Sequence, residues 1–224
     1  MKQNKQHFKS IIIGAGASGL MCAEHIAEAG SVLILEKQPQ LAAKVKISGG
    51  GNCNFTNLGV ASNNYLCTNP HFVKSALARF TPQDILKILQ QNRIKYEERQ
   101  NQQMFAYSAL EIADMLRKRC LEKNVKIQTK CQIKEIEKTN DIFKIDTDLG
   151  CYSCENLIIA TGGMSYPKVG ATDFGYKIAR QFGHKIINPR PALVGLISAP
   201  DLRDFCSDLS GVSVPVTITI GKKK

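Results

Sequence analysis

The most constraining feature of this chain is a run of three isoleucines followed at once by regularly spaced glycines. The run, residues 11–13, is too short for a helix, and a strand so apolar must be buried on both faces, as in a parallel sheet. Gly14, Gly16 and Gly19 follow in the order G-x-G-x-x-G. This order predicts a tight turn at Gly14, close approach of a pyrophosphate at Gly16 and close helix–strand packing at Gly19.

The residues after the glycines favour a dinucleotide site over a βαβ turn without a ligand. A helix predicted over residues 17–29 would point the unpaired N–H groups of its first turn, at Ala17 and Ser18, toward the phosphates. A second apolar strand, residues 31–35, is followed by Glu36, which lies 22 positions after the first glycine. A Rossmann unit places at about this distance the acid that accepts hydrogen bonds from a ribose.

The composition is that of a globular protein. Of the 224 residues 43% are hydrophobic, so the chain can bury a core without disulfide bonds. The eight cysteines show no framework-like spacing, the polar first residues do not resemble a signal peptide, and no apolar run has the length of a transmembrane helix. We therefore expect reduced thiols and a cytoplasmic location.

The net charge of +11 raises the question of a nucleic-acid partner. The lysines are scattered along the sequence, however, and aromatic residues make up only 7% of it. A nucleic-acid platform interleaves basic residues with stacking aromatics. We expect instead a basic surface that attracts an anionic cofactor or a small-molecule substrate, with neither a nucleic acid nor a membrane as partner.

A long stretch with little periodicity, residues 38–69, predicts a ligand-binding loop. Its centre reads Ser48-Gly49-Gly50-Gly51-Asn52-Cys53-Asn54. Adjacent glycines offer backbone N–H groups to an anion or a heterocycle, and the asparagines can hydrogen-bond their own backbone and fix the loop. A flexible linker is the alternative. We interpret Cys53 as a packed thiol rather than a redox-active one.

The middle of the chain predicts alternating helices and strands. A helix over residues 108–123 would turn Leu110, Ile112, Ala113, Leu116 and Leu121 inward. The other predictions are helices over residues 70–80 and from 82 onward, strands over 94–98 and 103–106 that pair, and a short parallel strand over 125–129.

The last third of the chain changes pattern. Residues 132–155 alternate and predict a small antiparallel meander on one face of the main sheet, with Cys151 and Cys154 as ordinary strand thiols. The apolar residues 156–159 predict a third strand whose end, Ala160-Thr161-Gly162, opens on the ligand crevice. A helix over residues 173–182 follows, and a strand over 212–220 begins a new element.

Three motifs together resemble the YhiN/BaiN-like flavoproteins, a family that includes aminoacetone oxidase-like and NAD(P)/FAD-dependent oxidoreductases. They are the opening fingerprint, K-x-x-I-S-G-G-G-x-C-N-x-T-N at residues 44–57, and A-T-G-G-x-S-Y-P at residues 160–167. The resemblance implies an α/β fold, with a Rossmann-like FAD-binding domain of the two-dinucleotide-binding type over residues 1–190. It further implies the start of an inserted β-rich substrate domain over residues 191–224, truncated relative to the family.

The resemblance also implies FAD as the cofactor, NAD(P)H as its reductant and an unidentified substrate. Asn52 and Gln103 stand where the family has arginine, and no residue is indicated as a catalytic acid, base or metal ligand. A non-catalytic remnant and a module that binds NAD alone are the alternatives. The implied cofactor-binding residues are Gly14, Gly16, Ala17, Ser18, Gly19, Glu36, Lys37, Lys44, Ser48, Gly49, Gly51, Asn52, Asn54, Thr56, Ala160, Thr161 and Gly162.

Overall fold

A computed structural model describes residues 6–191, 197–212, 214–217, 219 and 221 of the chain. The chain forms two compact units, Met1–Lys185 and Ile186–Lys224. The predicted boundary after residue 190 stays a prediction.

The first unit contains nine strands and six helices in its described part. The strands are β1 (Gln6–Ile13), β2 (Val32–Leu35), β3 (Asn54–Asn57), β4 (Tyr96–Arg99), β5 (Gln103–Ala106), β6 (Lys126–Gln128), β7 (Ile133–Thr139), β8 (Ile142–Thr147) and β9 (Cys151–Ile159). The helices are α1 (Ala17–Ile26), α2 (Ala43–Ile47), α3 (Lys74–Arg79), α4 (Pro82–Gln91), α5 (Ala109–Glu122) and α6 (Phe174–Gln181).

Six strands form the main sheet in the order β6-β2-β1-β9-β8-β7. The first four strands of this order run parallel, and β8 and β7 run antiparallel to their neighbours. The strand β1 lies between β2 and β9, where neighbours on both sides cover its backbone. The prediction of a central parallel strand at the isoleucine run is confirmed.

The main sheet separates two hydrophobic cores because successive side chains of a strand point to opposite faces. Ile12 and Ile34 lie in the core that includes α1 and α5, whereas Ile11 and Leu33 lie in the core that includes β7, β8 and α6. All four side chains are buried. Burial on both faces explains why these strands are uniformly apolar.

A second, three-stranded antiparallel sheet has the order β3-β5-β4. The pairing of β4 with β5, from Tyr96 with Ala106 to Arg99 with Gln103, confirms the predicted pair of strands. The third strand, β3, comes from the stretch that the sequence predicts to be irregular. That stretch also contains α2, so the prediction of a long loop without regular elements is wrong.

The predicted meander is not a separate layer on one face of the main sheet. The strand β9 includes both Cys154 and the apolar residues 156–159, and it pairs antiparallel with β8 and parallel with β1. The meander therefore extends the main sheet sideways. The structure has a single strand, β9, where the sequence predicts two, because the same nine residues pair with both β1 and β8.

Two helix predictions need correction. Helix α3 begins at Lys74, later than predicted, because residues 71–73 form a turn. In α5, Leu110 and Leu121 are exposed, while Met115 and Cys120 are buried with the predicted inward residues. The buried face of α5 is therefore rotated from the predicted one.

The second unit contains a 3₁₀ turn, Pro200–Leu202, and a short helix, α7 (Arg203–Asp208). The strand predicted over residues 212–220 is not formed at 212, 214–217 or 219, and its residues 213, 218 and 220 lie outside the described residues. The β-rich character of this unit stays a prediction. Among the described helices, none combines the length and the apolar character needed to cross a bilayer.

Candidate functional site

The carboxyl ends of three neighbouring strands meet at one edge of the main sheet. Gly14 follows β1, Glu36 follows β2 and Ala160 follows β9. The Gly14 N–H donates to the carbonyl of Leu35 at 2.9 Å. The Ala160 N–H donates to the carbonyl of Ile13 at 2.9 Å. The chain leaves β1 toward β2 and returns to its other side only at β9, and ligands of open α/β sheets bind at such a switch point.

The turn after β1 leads to a helix N-terminus that no side chain caps. Gly14 has φ +105°, and a Cβ there would lie 2.6 Å from the carbonyl oxygen of Ala160, so the turn requires glycine. Gly16 is the N-cap of α1, and a Cβ at Gly16 would meet no described atom within 4 Å. The N–H groups of the first turn are therefore left for an anionic ligand.

The Glu36 carboxylate holds this turn in place. One of its oxygens accepts the N–H of Ala15 at 2.7 Å, and the other accepts the N–H of Gln38 at 2.8 Å. The carbonyl of Ala15 accepts the N–H of Ala42 at 2.8 Å. Both polar backbone groups of Ala15 are thus engaged. Because each carboxylate oxygen has a further lone pair, Glu36 can also accept a hydrogen bond from a ribose hydroxyl.

A cavity of about 500 Å³ opens at this edge of the sheet, a volume typical of small-molecule sites. The structure brings to its wall twelve of the predicted cofactor-binding residues: Gly14, Gly16, Ala17, Ser18, Glu36, Lys37, Lys44, Ser48, Asn54, Ala160, Thr161 and Gly162. Their role in binding a cofactor stays a prediction.

The other predicted residues lie outside the cavity wall: Gly19, Gly49, Gly51, Asn52 and Thr56. Gly19 acts through packing, because a Cβ there would collide with the carbonyl of Gly14. Gly49 has φ +57° and lies against the ring of Phe105. Asn52 ends the 3₁₀ turn Ser48–Gly51, and its N–H donates to the carbonyl of Gly49 at 3.3 Å. These residues shape the loop behind the cavity surface.

The sequence prediction misses residues 131–133 of the cavity wall and two larger parts. One is an apolar side formed by α4 and α5, with Leu89, Ile112 and Met115 among its residues. In the sequence these residues look like ordinary positions of a helix core. The other part is the segment 169–172, whose Gly170 has φ +89°. A glycine turn soon after the A-T-G-G motif is the signal that could have identified this segment.

The charged side chains on the cavity wall are Glu36, Lys37 and Lys44. The ammonium of Lys44 lies next to Gly162, since a Cβ on that glycine would be 3.9 Å from Nζ. A lysine and a helix N-terminus on one wall both favour an anionic ligand.

Cys53 and Cys154 are buried, and Cys151 is partly buried. Cys53 lines the cavity with φ +52°, and burial raises the pKa of its thiol. Burial also raises the pKa of the Cys154 thiol, to about 11, and the Cys151 thiol donates to Asp146 at 3.2 Å. Thiols with raised pKa values are poor nucleophiles at neutral pH, which agrees with the interpretation of packed cysteines. No cluster of three or more potential metal ligands occurs in the described part of the chain.

The family of the chain follows from a match that covers nearly all of it. The family model described as the HI0933-like protein Rossmann domain matches residues 8–221. The chain belongs to this family. The resemblance to the YhiN/BaiN-like flavoproteins is thereby confirmed, and so is the α/β, Rossmann-like fold.

Three curated relatives of this chain are named as enzymes. The ribosomal RNA dihydrouridine synthase of Haemophilus influenzae is 43% identical over 220 residues, which cover 96% of this chain and 55% of that protein. The enzyme of the same name from Escherichia coli is 41% identical over 216 residues, with 96% and 54% covered. The 3-dehydro-bile acid delta(4,6)-reductase of Clostridium scindens is 30% identical over 194 residues, with 83% and 46% covered. The chain thus spans about half the length of the curated relatives it matches.

A solved structure shares the fold at much lower identity. The 3-ketosteroid-delta4-(5alpha)-dehydrogenase from Rhodococcus jostii RHA1 has a TM-score of 0.55 and 9% identity, and the match covers 74% of this chain and 48% of that one. This likeness concerns the fold alone. It agrees with the Rossmann-like fold that the family match shows.

Proposed function

We propose that this chain is the cofactor-binding part of an FAD-dependent reductase that acts on uridine in ribosomal RNA. The observation that carries the proposal is the cavity at the strand ends, where the uncapped N-terminus of α1 and the side chains of Glu36 and Lys44 line one wall. The names of the relatives at 43% and 41% identity supply the substrate class.

The residues present fit a dinucleotide. The open space at Gly16 leaves room for a pyrophosphate, which the N–H groups of the first turn of α1 would bind. Glu36 would accept a ribose hydroxyl, and the Lys44 ammonium would offset negative charge near Gly162. The buried side chains of Leu89 and Met115 would exclude water from the apolar side. When bound, the flavin would supply a hydride, and the protein supplies position and electrostatics.

Reduction of a carbon–carbon double bond is the chemistry that the relatives' names share. Dihydrouridine is uridine with its ring double bond reduced, and the relative at 30% identity is named as a reductase of a bile acid. A reductase of a small unsaturated ketone is therefore the second candidate. The higher identity and coverage of the first two relatives favour RNA. This proposal departs from the expectation that no nucleic acid is a partner.

Two further parts of the proposal rest on the sequence. NAD(P)H is the proposed reductant, because the family resemblance implies it. A cytoplasmic location is proposed because the cysteines show no disulfide-like spacing.

The test is an FAD titration of the purified chain, followed by visible absorbance, with NADH and NADPH as competitors. Saturable uptake with a bound-flavin spectrum is the expected result. Binding of NADH by a folded chain that takes up no FAD would support the NAD-only module, and binding of neither would support a remnant. Formation of dihydrouridine in ribosomal RNA, compared with reduction of an unsaturated steroid ketone, then separates the two substrate classes.

A further inference from the structure

Two stretches of the sequence contain almost no acidic residues. The 47 residues from Lys37 to Gln83 contain five lysines and arginines and no aspartate or glutamate. The 30 residues from Asn156 to Lys185 contain four lysines and arginines and a single acidic residue, Asp173. Together the stretches hold eight of the eleven net positive charges. The other 147 residues hold 21 basic and 18 acidic residues, so the positive charge is concentrated by the absence of acids.

Both stretches contribute to the cavity wall and meet there. Gln38 of the first stretch lies against Gly170 of the second, and Lys44 of the first lies next to Gly162 of the second. The carboxylate of Asp173 pairs with the ammonium of Lys177 at 3.1 Å, which cancels the one acidic charge. The two stretches that carry most of the net positive charge therefore both reach the cavity, where Lys37 and Lys44 line the wall.

Exposed aromatic side chains occur in the same two stretches. Tyr65, Phe72 and Phe80 are exposed in the first stretch and Tyr166 in the second. In the described part of the first unit, Tyr107 is the further exposed aromatic residue. Phe72 has 75% of its surface exposed, so its ring is available for contact with a ligand. Exposed rings on a positive surface are the chemistry that stacks on unpaired bases.

Three of these aromatic residues belong to one segment, residues 65–80, which we call the basic aromatic segment. It lies in the chain between β3 and α4, and both elements line the cavity, through Phe55 and Leu89 among others. The segment includes α3, whose Lys74 and Arg79 are exposed. The chain thus leaves the cavity wall, forms this segment and returns to the wall.

We propose that the basic aromatic segment binds single-stranded RNA beside the cavity, with Phe72 stacked on a base and Lys74 and Arg79 on phosphates. The inference rests on the proposed RNA substrate. Enzymes that act on a base take it out of its stack. A ring on a segment that leaves the cavity wall and rejoins it could hold the strand from which the reacting base has been removed. The positive charge favours RNA over an uncharged partner.

The experiment measures binding of a fluorescently labelled, uridine-rich single-stranded oligoribonucleotide by anisotropy, over a series of salt concentrations. Phe72→Ala is expected to weaken binding by about 5- to 140-fold, the range for loss of one stacked base. The double variant Lys74→Ala, Arg79→Ala is expected to lower the slope of log affinity against log salt by about 1.4, since each phosphate contact on a single strand contributes about 0.7.

The matched control is the double variant Lys134→Ala, Lys144→Ala. It removes the same charge from exposed positions of β7 and β8, outside the two stretches. We expect it to leave the salt slope nearly unchanged. All changed residues are exposed, so circular dichroism should show the wild-type fold in every variant.

Three results would overturn the inference. They are the absence of RNA binding by the wild-type chain at low salt, losses in the Phe72 and Lys74/Arg79 variants no larger than in the control, and equal binding of duplex and single-stranded RNA. FAD uptake in the same samples separates the two proposals. If FAD binds and RNA does not, the reductase proposal stands with another substrate class, and another protein surface is the better candidate to cover Phe72.

Discussion

The space in front of Gly16 makes this residue the sharpest test of the dinucleotide site. Because a Cβ at Gly16 meets no described atom within 4 Å, we expect Gly16→Val to keep the thermal stability of the chain. The valine side chain would occupy the place of the pyrophosphate, so the FAD titration should show no uptake. In Gly19→Val, the control, the Cβ collides with the carbonyl of Gly14, and we expect a lower Tm. Wild-type FAD affinity in Gly16→Val would contradict the site.

A proposed contact of Glu36 with a ribose can be separated from its observed role in holding the turn. Glu36→Gln keeps the size of the side chain but replaces one accepting oxygen by a donor, so it weakens the contacts to the N–H groups of Ala15 or Gln38. We expect FAD affinity to fall by about 1–3 kcal/mol, the range for a hydrogen bond to a charged group. Calorimetric titration with FAD and with FMN, which lacks the adenosine, measures the difference.

If Glu36 contacts the ribose of the adenosine, the loss should be larger for FAD than for FMN. Equal losses for both ligands would show that Glu36 acts only by holding the turn.

At the scale of elements, a partly buried ion pair ties the helix at the site to α5. The Arg119 Nη2 lies 2.9 Å from Glu24 Oε1, and the two side chains are 21% and 9% exposed. Glu24 Oε2 and Arg119 Nε are buried without a hydrogen-bond partner among the described atoms. The pair is therefore only partly satisfied, and its removal as a whole should cost less than the removal of one partner.

We expect Arg119→Met to lower the free energy of unfolding by about 2–4 kcal/mol, because Glu24 keeps its buried charge without its closest partner. The double variant Glu24→Leu, Arg119→Met should recover most of this loss. Urea denaturation of the single and double variants measures both values. A double variant less stable than the single one would show that the pair is net stabilising.

Local sequence patterns predict the helices and strands whose formation depends little on the elements that pack or pair with them. The sequence patterns that predict a helix from residue 82 onward and paired strands over 94–98 and 103–106 were sufficient for α4 and for the β4–β5 pair. The single strand β9 could not be predicted, because its first half alternates like an edge strand and its second half is apolar like a central one. Only the pairing with both β1 and β8 joins them. For the same reason, the buried face of α5 depends on which elements pack against it, as the exposure of Leu110 shows.

The sequence predicts those residues of the candidate site whose type is required by the local backbone conformation. Gly14, Gly16 and Glu36 have such roles, and the structure brings them to one cavity wall. The apolar wall with Leu89 and Met115 was not predictable, because a cavity arises where side chains fail to fill space, and no single residue carries that signal. The two stretches with almost no acidic residues can be found in the sequence by counting acidic residues instead of lysines. The exposure of Phe72 can be seen only in the structure.

At the scale of the whole molecule, each of the two cores contains a buried thiol. Cys120 lies in the core with α1 and α5, and Cys154 lies in the core on the other face of the sheet. Burial is the main cause that raises the pKa of each thiol from 9.0 to about 11. Between these two values the unfolded chain has lost protons that the folded chain still holds, so stability should fall as pH rises from about 9 to about 11.

The measurement is Tm against pH for the wild type, Cys120→Ala and Cys154→Ala. Each variant should have a shallower decline above pH 9, even though the lost packing lowers its Tm at neutral pH. Parallel curves for variants and wild type would assign the alkaline decline to other groups.

The turn after β1 is already held on two sides, at the N–H of Ala15 by Glu36 and at its carbonyl by Ala42. A turn in this state has little conformational entropy left to lose when a ligand arrives. Capture of the cofactor then needs no slow rearrangement beforehand. In stopped-flow mixing, the observed rate of FAD binding should rise in direct proportion to the FAD concentration, without a plateau. The rate of encounter between the protein and FAD would then limit the rate of binding.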